Sequence, residues 1–421
     1  MKKVLIITYY WPPGSGAGVQ RWLKFSKYLP SFGWEPVVLT VDPDYAAYPA
    51  LDNTILAEIS GDLKVYKTKA IDYFRIYKKD KTKIPSAGFA GNDDKSLKGK
   101  ILRFIRGNFF IPDPRKGWNN FAFMKACEII ENEGIKHIIT TSPPHSTQLI
   151  GLRLKKSFPG IKWIADMRDP WTDIYYYNQF YHTLIPRLID KNLERNVLNS
   201  ADKIITVGKS LKDIFSSKIQ GVEEKIEVIT NGYDEDDFTG IIPVIPDLFT
   251  ISYIGTLSDA YPVGGLLDAL QNFKGKNNVF KIRFVGTVSP GQKDLIISKL
   301  GISYVEFVPY VDHVTAIKYM SEASVLLLII PDHRSNKCII TGKLFEYLAA
   351  RKPIVCLGPS DGDAADIIRS SGSGYVFDYK ISAAEEFIRM LTQNQPVLRG
   401  KSISEYSRKT LASHLVEILE H

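Results

Sequence analysis

The sequence predicts two doubly wound α/β domains in one chain. Short apolar runs rich in Val, Ile and Leu alternate with helical patterns, as they do in parallel βαβ units. The alternation stops at residues 231–248, where an Asn-Gly turn, an acidic run and prolines lie together, and then begins again. A chain of 421 residues also exceeds what one core fills, which is about 250–300 residues. We therefore expect two Rossmann-like domains that face each other across a cleft, with binding loops at the carboxyl ends of their strands.

In each half, apolar runs predict the strands and stretches of helical period predict the helices between them. The strands of the first half are predicted at Val4–Tyr9, Glu35–Thr40, His137–Thr141, Lys162–Asp166, Lys203–Val207 and Lys225–Ile229, with helices such as Val19–Leu29 and Phe121–Glu133. The strands of the second half are predicted at Thr250–Gly255, Lys281–Val285, Tyr304–Val308, Val325–Ile330, Pro353–Leu357 and Gly374–Phe377, with helices such as Gly264–Phe273 and Gln292–Leu300.

Composition excludes several classes of protein. Three cysteines at wide spacing form no CxxC pair, which argues against a disulfide framework and a zinc site and favours a reducing compartment. The amino-terminal apolar run leads into Trp11 and two prolines rather than a cleavage site, so we interpret it as a buried strand. The longest apolar run, Val325–Ile330, is far shorter than the about 20 residues of a membrane helix.

The first candidate site is the glycine loop "PPGSGAGVQRW" after the first strand. Gly14, Gly16 and Gly18 allow a ligand to approach the backbone, and the helix that follows offers free N–H groups to an anion. The spacing is GxGxG rather than the dinucleotide GxGxxG, and no acidic residue ends the second strand. A phosphate or sugar contact and a plain strand-to-helix turn are the two interpretations that remain.

The second candidate is "TGKLFEYLAARKPIV", residues 341–355. A helix that begins near Thr341 would direct the N–H groups of Gly342 and Lys343 outward, with the lysine adding a full positive charge. Glu346 shares the face of Lys343 by helical spacing and could accept hydrogen bonds from ribose hydroxyls. The pair could therefore hold a nucleotide sugar, although a surface salt bridge would show the same spacing.

These residues carry a family resemblance. "TGKLFEYLAARKPIV" resembles the sugar-nucleotide helix of GT-B glycosyltransferases of family four. Four further segments resemble the same family in order: "ITYYWPPGSGAGVQRWLKFSKYLPSFGWEPVVLT", "IADMRDPW", "VITNGYDEDDF" and "YSRKTLASHLVEIL". The resemblance implies an acceptor domain at 1–235, a donor domain at 236–400, and a carboxyl-terminal helix, about 401–421, that folds back onto the first domain.

The resemblance also implies the donor residues and the reaction. A sugar would be transferred with retention from a nucleoside diphosphate, UDP or GDP, without a cofactor and without a metal, since the run Asp234–Asp237 reads as a linker or helix cap. The positions that would contact the donor are Gly16, Gly18, Gly255, Thr256, Thr341, Gly342, Lys343 and Glu346, with Tyr310 and Val311 at the nucleobase.

The sequence departs from the family pattern at two places on the donor side. No Arg or Lys follows Gly255, so the phosphate charge would fall to Lys343 and to Arg334 or Lys337. The position eight before Glu346, where many members carry a glutamate that faces the transferred sugar, is Cys338. The identity of the sugar therefore stays open.

Three residues of the first half are candidates for catalysis. Asp169 follows a strand end and could orient the acceptor hydroxyl, or it could brace the turn before Pro170. Arg168 stands where several members of the family have histidine. His145, in "TSPPHSTQ", would face the cleft or serve as a structural histidine. Catalysis would then depend on electrostatic stabilisation of the leaving diphosphate and on orientation of the acceptor.

The positive charge of the chain is concentrated in one segment. Residues 64–118 contain 15 Lys/Arg and 5 Asp/Glu, while the whole chain carries +8. Mixed with aromatic and aliphatic residues, this composition favours an anionic membrane surface, and a solvated insertion is the alternative. The pattern fits no nucleic-acid module.

Together, the segments predict an enzyme of surface polysaccharide or cell-envelope synthesis. It would work in the cytoplasm at the inner face of the membrane, with a glycan or polyprenyl-diphosphate-linked acceptor. Two alternatives are a catalytically silent GT-B module that binds glycans or lipids, and a dinucleotide-dependent oxidoreductase.

Overall fold

The computed structural model describes residues 1–73, 96–242, 244–275, 279–382, 384–392 and 402–421. They form two compact units. The first comprises Met1–Thr230 with Arg408–His421, and the second comprises Asn231–Ser407. The sequence analysis places the corresponding boundaries at 235/236 and about 400/401. In the described residues, no helix combines the length and the apolar character needed to span a bilayer.

The first unit is built on a parallel sheet of seven strands in the order β3-β2-β1-β4-β5-β6-β7. Its strands are β1 (Lys2–Ile7), β2 (Trp34–Val41), β3 (Lys64–Thr68), β4 (His137–Ser142), β5 (Lys162–Met167), β6 (Lys203–Thr206) and β7 (Ile226–Val228). Its helices are α1 (Ala17–Tyr28), α2 (Leu97–Phe109), α3 (Asn119–Glu133), α4 (Gln148–Ser157), α5 (Leu184–Ser200) and α6 (Lys209–Ser216).

The second unit is built on a parallel sheet of six strands in the order β10-β9-β8-β11-β12-β13. Its strands are β8 (Thr250–Ile254), β9 (Lys281–Val285), β10 (Val305–Val308), β11 (Val325–Ile329), β12 (Ile354–Leu357) and β13 (Gly374–Phe377). Its helices are α7 (Gly264–Lys274), α8 (Pro290–Leu300), α9 (His313–Ser321), α10 (Gly342–Ala349), α11 (Asp363–Ser371) and α12 (Ala384–Thr392). The last helix, α13 (Arg408–Glu420), belongs to the first unit, where Leu411 and Leu415 join its core.

Each sheet reverses its strand order once. The reversal lies between β1 and β4 in the first unit and between β8 and β11 in the second. Loops that leave the carboxyl ends of strands on either side of such a reversal diverge, which opens a crevice for a ligand. These two edges therefore determine where a site can form in each unit.

All the predicted strands occur, Lys281–Val285 and Gly374–Phe377 with the predicted bounds and the others with shifted ends, but β3 was missed. Its sequence KVYKT is only partly buried at the edge of the sheet, so it lacks the apolar run that reveals central strands.

Candidate functional site

In the second unit, helix α10 begins beside the sheet's point of reversal. Its apolar side chains Leu344, Phe345, Tyr347 and Leu348 are buried. The Tyr347 hydroxyl accepts a hydrogen bond from the Ile254 N–H, at 3.0 Å, at the end of β8. This bond fixes the helix against the strand whose following loop carries Gly255.

Lys343 lies where these two elements meet. Its Nζ is 4.0 Å from the centroid of the Tyr253 ring, a cation–π contact. A Cβ added to Gly255 would approach the same Nζ to 3.0 Å, and Gly255 has φ +124°, a backbone conformation suited to glycine. The side chain keeps some exposure, yet its ammonium is packed among protein atoms, and this desolvation lowers the pKa of Lys343 to about 7. An anion that arrives here would restore the charged form.

Thr341 occupies the N-cap position of α10 with extended backbone angles, φ −76° and ψ 145°. Its hydroxyl makes no capping hydrogen bond, and its buried Oγ1 has no hydrogen-bond partner in the described part of the chain. The helix therefore begins where the sequence predicts, but the Thr341 side chain does not cap it. A buried hydroxyl without a partner beside free helix N–H groups is suited to an oxyanion.

Glu346 already has a partner. Its Oε1 lies 3.2 Å from Nε2 of His313, the first residue of α9, and its charge favours the protonated form of Lys343. The sequence analysis missed His313, although it lies two residues after Val311. A ribose hydroxyl at this carboxylate would share it with the imidazole.

The remaining donor candidates lie on neighbouring loops of the same unit. Tyr310 is 74% exposed, a large aromatic ring presented to solvent. Val311 instead packs against the core, so only the tyrosine of this pair offers a free surface. The Thr256 carbonyl accepts a hydrogen bond from the Tyr253 hydroxyl, at 2.8 Å, which orients the loop after β8.

The positions that depart from the family pattern have local roles. The Cys338 Sγ donates to the Ser335 carbonyl, at 3.1 Å. Lys337 forms an exposed ion pair with Asp361, and Arg334 is exposed. Lys343 is therefore the cation held closest to the Gly255 loop among these three.

In the first unit, a buried carboxylate organises the ends of β4 and β5. Asp166, fully buried on β5, forms an ion pair with Arg21 at 3.0 Å. It also accepts hydrogen bonds from Trp22 Nε1, at 2.8 Å, and from Thr141 Oγ1, at 2.7 Å. The sequence analysis quoted this aspartate without giving it a role, because a polar residue inside an apolar strand carries no periodic signal.

Arg168 follows β5 and lies against the glycine loop. Its Nε donates to the Ser142 carbonyl at 3.1 Å, and a Cβ added to Gly18 would come within 3.4 Å of its terminal nitrogens. Gly16 has φ +102° and open space around it, so the loop conformation itself requires glycine there. A guanidinium therefore stands directly beside the loop predicted to contact phosphate or sugar.

Asp169 and His145 lie close to this arginine. Burial raises the pKa of Asp169, while the charge of Arg168 opposes that rise, and no described residue hydrogen bonds to its carboxylate. His145 stacks on Trp171, with ring centroids 4.9 Å apart. Burial, with Lys218 and Arg168 nearby, lowers the pKa of His145 to about 3, so the imidazole is neutral at physiological pH. A neutral histidine can accept a proton from a hydroxyl, but it does not attract an anion by charge.

The acidic run Asp234–Asp237 forms a turn and the start of a short 3-10 helix in the linker. In the described part of the chain, no group of three or more His, Cys, Asp or Glu residues is arranged to hold a metal ion.

One family profile matches part of the chain. The profile described as Glycosyltransferase Family 4 matches residues 87–237, which include the segments with His145, Arg168 and Asp169. Over residues 87–237 the chain is similar to family 4 glycosyltransferases. Enzymes of this family use a sugar nucleotide and retain the anomeric configuration of the transferred sugar. No curated protein matches the sequence.

Solved structures share the fold of this chain over its whole length. The apo lipopolysaccharide outer core galactosyltransferase WaaB is 12% identical, covers 99% of both chains and has a TM-score of 0.61. Sucrose-phosphate synthase from Thermosynechococcus elongatus is 14% identical, with 100% of this chain and 98% of that one covered and a TM-score of 0.65. A variant of S. aureus TarM in complex with fondaparinux, alpha-GlcNAc-glycerol and UDP is 12% identical, with both chains covered completely and a TM-score of 0.60. The fold is therefore GT-B.

Proposed function

We propose that the protein transfers a sugar from a nucleoside-diphosphate sugar, UDP- or GDP-linked, to a glycan or lipid-linked acceptor of the cell envelope. The observation that carries the donor half of this proposal is the desolvated Lys343 ammonium between Tyr253 and Gly255. In this proposal, the lysine and the first N–H groups of α10 hold the diphosphate, and Thr341 Oγ1 donates to it. Glu346 accepts from the ribose, and Tyr310 lies against the base.

The same contacts to the diphosphate would also act in the reaction. As the bond between the sugar and the diphosphate breaks, negative charge grows on the leaving oxygen, and Lys343 with the helix amides stabilises it. In the first unit, Asp169 would orient the acceptor hydroxyl, and Arg168 would meet phosphate or sugar beside Gly18. The absence of hydrogen bonds from described residues to Asp169 supports a role toward a ligand.

A lipid-linked acceptor is supported by the surface of α2 and α5. Both helices expose large apolar side chains, namely Leu97, Ile101, Phe104 and Phe109 on α2 and Leu184, Ile185, Leu188 and Ile189 on α5. Residues 96–112 contain four Lys/Arg and no Asp or Glu, so this apolar surface is also basic. Residues 74–95 of the basic segment lie outside the described residues. We propose that this surface lies on an anionic membrane at its cytoplasmic face.

The donor site is tested by a melting-shift screen of nucleotides and nucleotide sugars. We expect one nucleoside diphosphate to stabilise the parent protein, and Lys343→Ala and Glu346→Ala each to weaken its binding about ten- to a hundredfold, since each loses a charged hydrogen bond. Lys337→Ala is the matched control, because this exposed lysine pairs with Asp361. Unchanged shifts in both site variants would remove Lys343 and Glu346 from the donor site.

The membrane surface is tested separately by sedimentation with vesicles. Binding to vesicles that contain anionic lipid should fall with added salt and with Ile185→Glu or Leu188→Glu. Equal binding by these variants would exclude the α5 surface.

A further inference from the structure

A pocket lies wholly within the first unit, at the loops that follow β1, β4 and β5. It encloses about 650 Å³ between its atoms, part of it open to solvent. Two arginines, several aromatic rings and a histidine line this pocket. The lining residues used below are Tyr10, Arg106, Arg115, His145, Trp171 and Tyr176. The position at the reversal of strand order is where a doubly wound sheet binds ligands.

The two guanidinium groups give the pocket its charge. Arg115 is buried and lies 5.4 Å from the Tyr10 ring, and the half-buried Arg106 lies 4.2 Å from the Phe180 ring. Burial and the neighbouring charge of Arg115 both lower the pKa of Arg106, so the two cations stand close enough to repel each other. No carboxylate of the described residues forms an ion pair with Arg106. Two like charges held together in a pocket are stabilised when an anion enters.

The acids near these arginines are already engaged. Asp113 accepts hydrogen bonds from the Arg115 backbone N–H at 2.9 Å and from the Ser146 backbone N–H and hydroxyl, both at 2.8 Å. Asp190 accepts from Trp171 Nε1 at 2.8 Å and from the Tyr177 hydroxyl at 2.9 Å. Burial raises the pKa of Asp190 to about 7, which leaves it only partly charged at neutral pH. In the described part of the chain, both acids are therefore engaged with partners other than the Arg106 side chain.

Arg106 is held rigidly on α2. A Cβ added to its neighbour Gly107 would lie 2.4 Å from the Phe180 carbonyl oxygen, so the helix packs there without space for a side chain. Asn108 Oδ1 accepts from both the backbone N–H and the hydroxyl of Thr183, at 2.8 Å each, and its Nδ2 donates to the Tyr181 carbonyl at 3.1 Å. Preorganised cations lose little conformational entropy when a ligand binds.

The pocket also contains a polar atom whose hydrogen-bonding capacity is unused. His145 Nδ1 is buried and has no hydrogen-bond partner among the described residues, while its ring is fixed by the stack on Trp171. A buried ring nitrogen left in this state costs free energy unless a ligand or water engages it.

From this arrangement we infer that the pocket binds a phosphate ester of the acceptor through Arg106 and Arg115, with the acceptor's hydroxyl-bearing part near His145. The inference rests on the proposed transferase function and assigns residues that would bind the phosphate of the second substrate. Paired guanidinium groups match the oxygens of a phosphate or diphosphate better than they match one carboxylate charge. The aromatic walls suit the apolar part of such an ester.

The test measures binding of inorganic pyrophosphate and of a short-chain isoprenyl diphosphate to the full chain by calorimetry. Lys343→Ala is used as the background, so that the donor site contributes little. Arg106→Gln should weaken binding of both anions about ten- to a hundredfold. Arg106→Lys, which keeps a cation over the Phe180 ring, should weaken it less. Lys98→Gln, an exposed lysine on the same helix, is the matched control and should change binding less than twofold.

Each outcome decides the inference. Weaker anion binding in Arg106→Gln but not in Lys98→Gln supports the inference. If the isoprenyl diphosphate then binds more tightly than pyrophosphate, the ligand is a lipid headgroup, and if the two bind equally, it is a free phosphate ester. Unchanged binding in both Arg106 variants, or equal loss with Lys98→Gln, overturns it. Because the donor screen depends on Lys343 and this test does not, either proposal can fail while the other stands.

Discussion

The lowered pKa of Lys343 predicts that donor binding takes up a proton. With a pKa of about 7, about half of the free protein lacks this proton at pH 7, and about nine-tenths lacks it at pH 8. A diphosphate beside the amine favours the charged form, so the pKa of the bound protein rises. A nucleotide sugar is a suitable ligand because its own diphosphate does not titrate in this range. We therefore expect uptake of about 0.5 proton per donor at pH 7 and about 0.9 at pH 8.

The same linkage determines how affinity depends on pH. Between pH 7 and pH 9 the charged fraction of Lys343 in the free protein falls about fiftyfold, so Kd should rise by up to that factor. Calorimetry in two buffers with different ionisation enthalpies measures the proton count directly. Lys343→Arg is the informative control, because arginine keeps its proton and should bind the donor with no uptake at this position.

Two results would refute this reasoning. The first is a parent protein whose binding enthalpy at pH 8 is the same in both buffers. The second is equal proton uptake by Lys343→Arg, which would assign the proton to another group.

Three further predictions concern single residues. Tyr310→Ala should weaken donor binding about tenfold by loss of a stacking surface, with an unchanged melting temperature because the ring is 74% exposed; an unchanged Kd would place the base elsewhere. Asp166→Ala should lower the free energy of unfolding by about 3–5 kcal/mol, because it leaves the buried Arg21 guanidinium uncompensated; denaturant unfolding measures this, and a similar loss for Asp169→Ala would contradict it. His145 has a pKa of about 3, below its unfolded value, so its NMR signals should not titrate between pH 5 and 8. The unfolded chain takes up that proton first, so unfolding free energy should fall as pH drops below about 6.5, and His145→Gln should reduce this slope.

The sequence was most informative where burial is continuous. A central strand such as β11 is apolar along its length, so its existence follows from composition and period. Strand β3 was not predicted, because its position at the edge of the sheet permits charged side chains. The donor candidates Gly255 and Lys343 are far apart in the chain, and only the resemblance linked them before the structure placed them side by side.

Contacts between side chains of distant segments were outside the reach of sequence patterns. The pair of His313 and Glu346 joins two helices, and the four-residue network around Asp166 joins three segments. Neither pair nor network has a fixed spacing. The charge of the pocket could not be predicted for the same reason. In the sequence, Arg106 and Arg115 belong to a general basic segment, and only the structure shows that both line one pocket.

The network around Asp166 divides the first unit into residues that hold the sheet together and residues that would select the second substrate. It holds the end of β5 through hydrogen bonds to Arg21 and Thr141, whereas Arg168, Asp169 and the segment that follows come directly after that strand. Exchanging residues 172–183 could therefore change which second substrate is accepted while the underlying sheet keeps its shape. Replacing Asp166 would not be confined in this way, because it would remove the contacts that Arg21, Trp22 and Thr141 share.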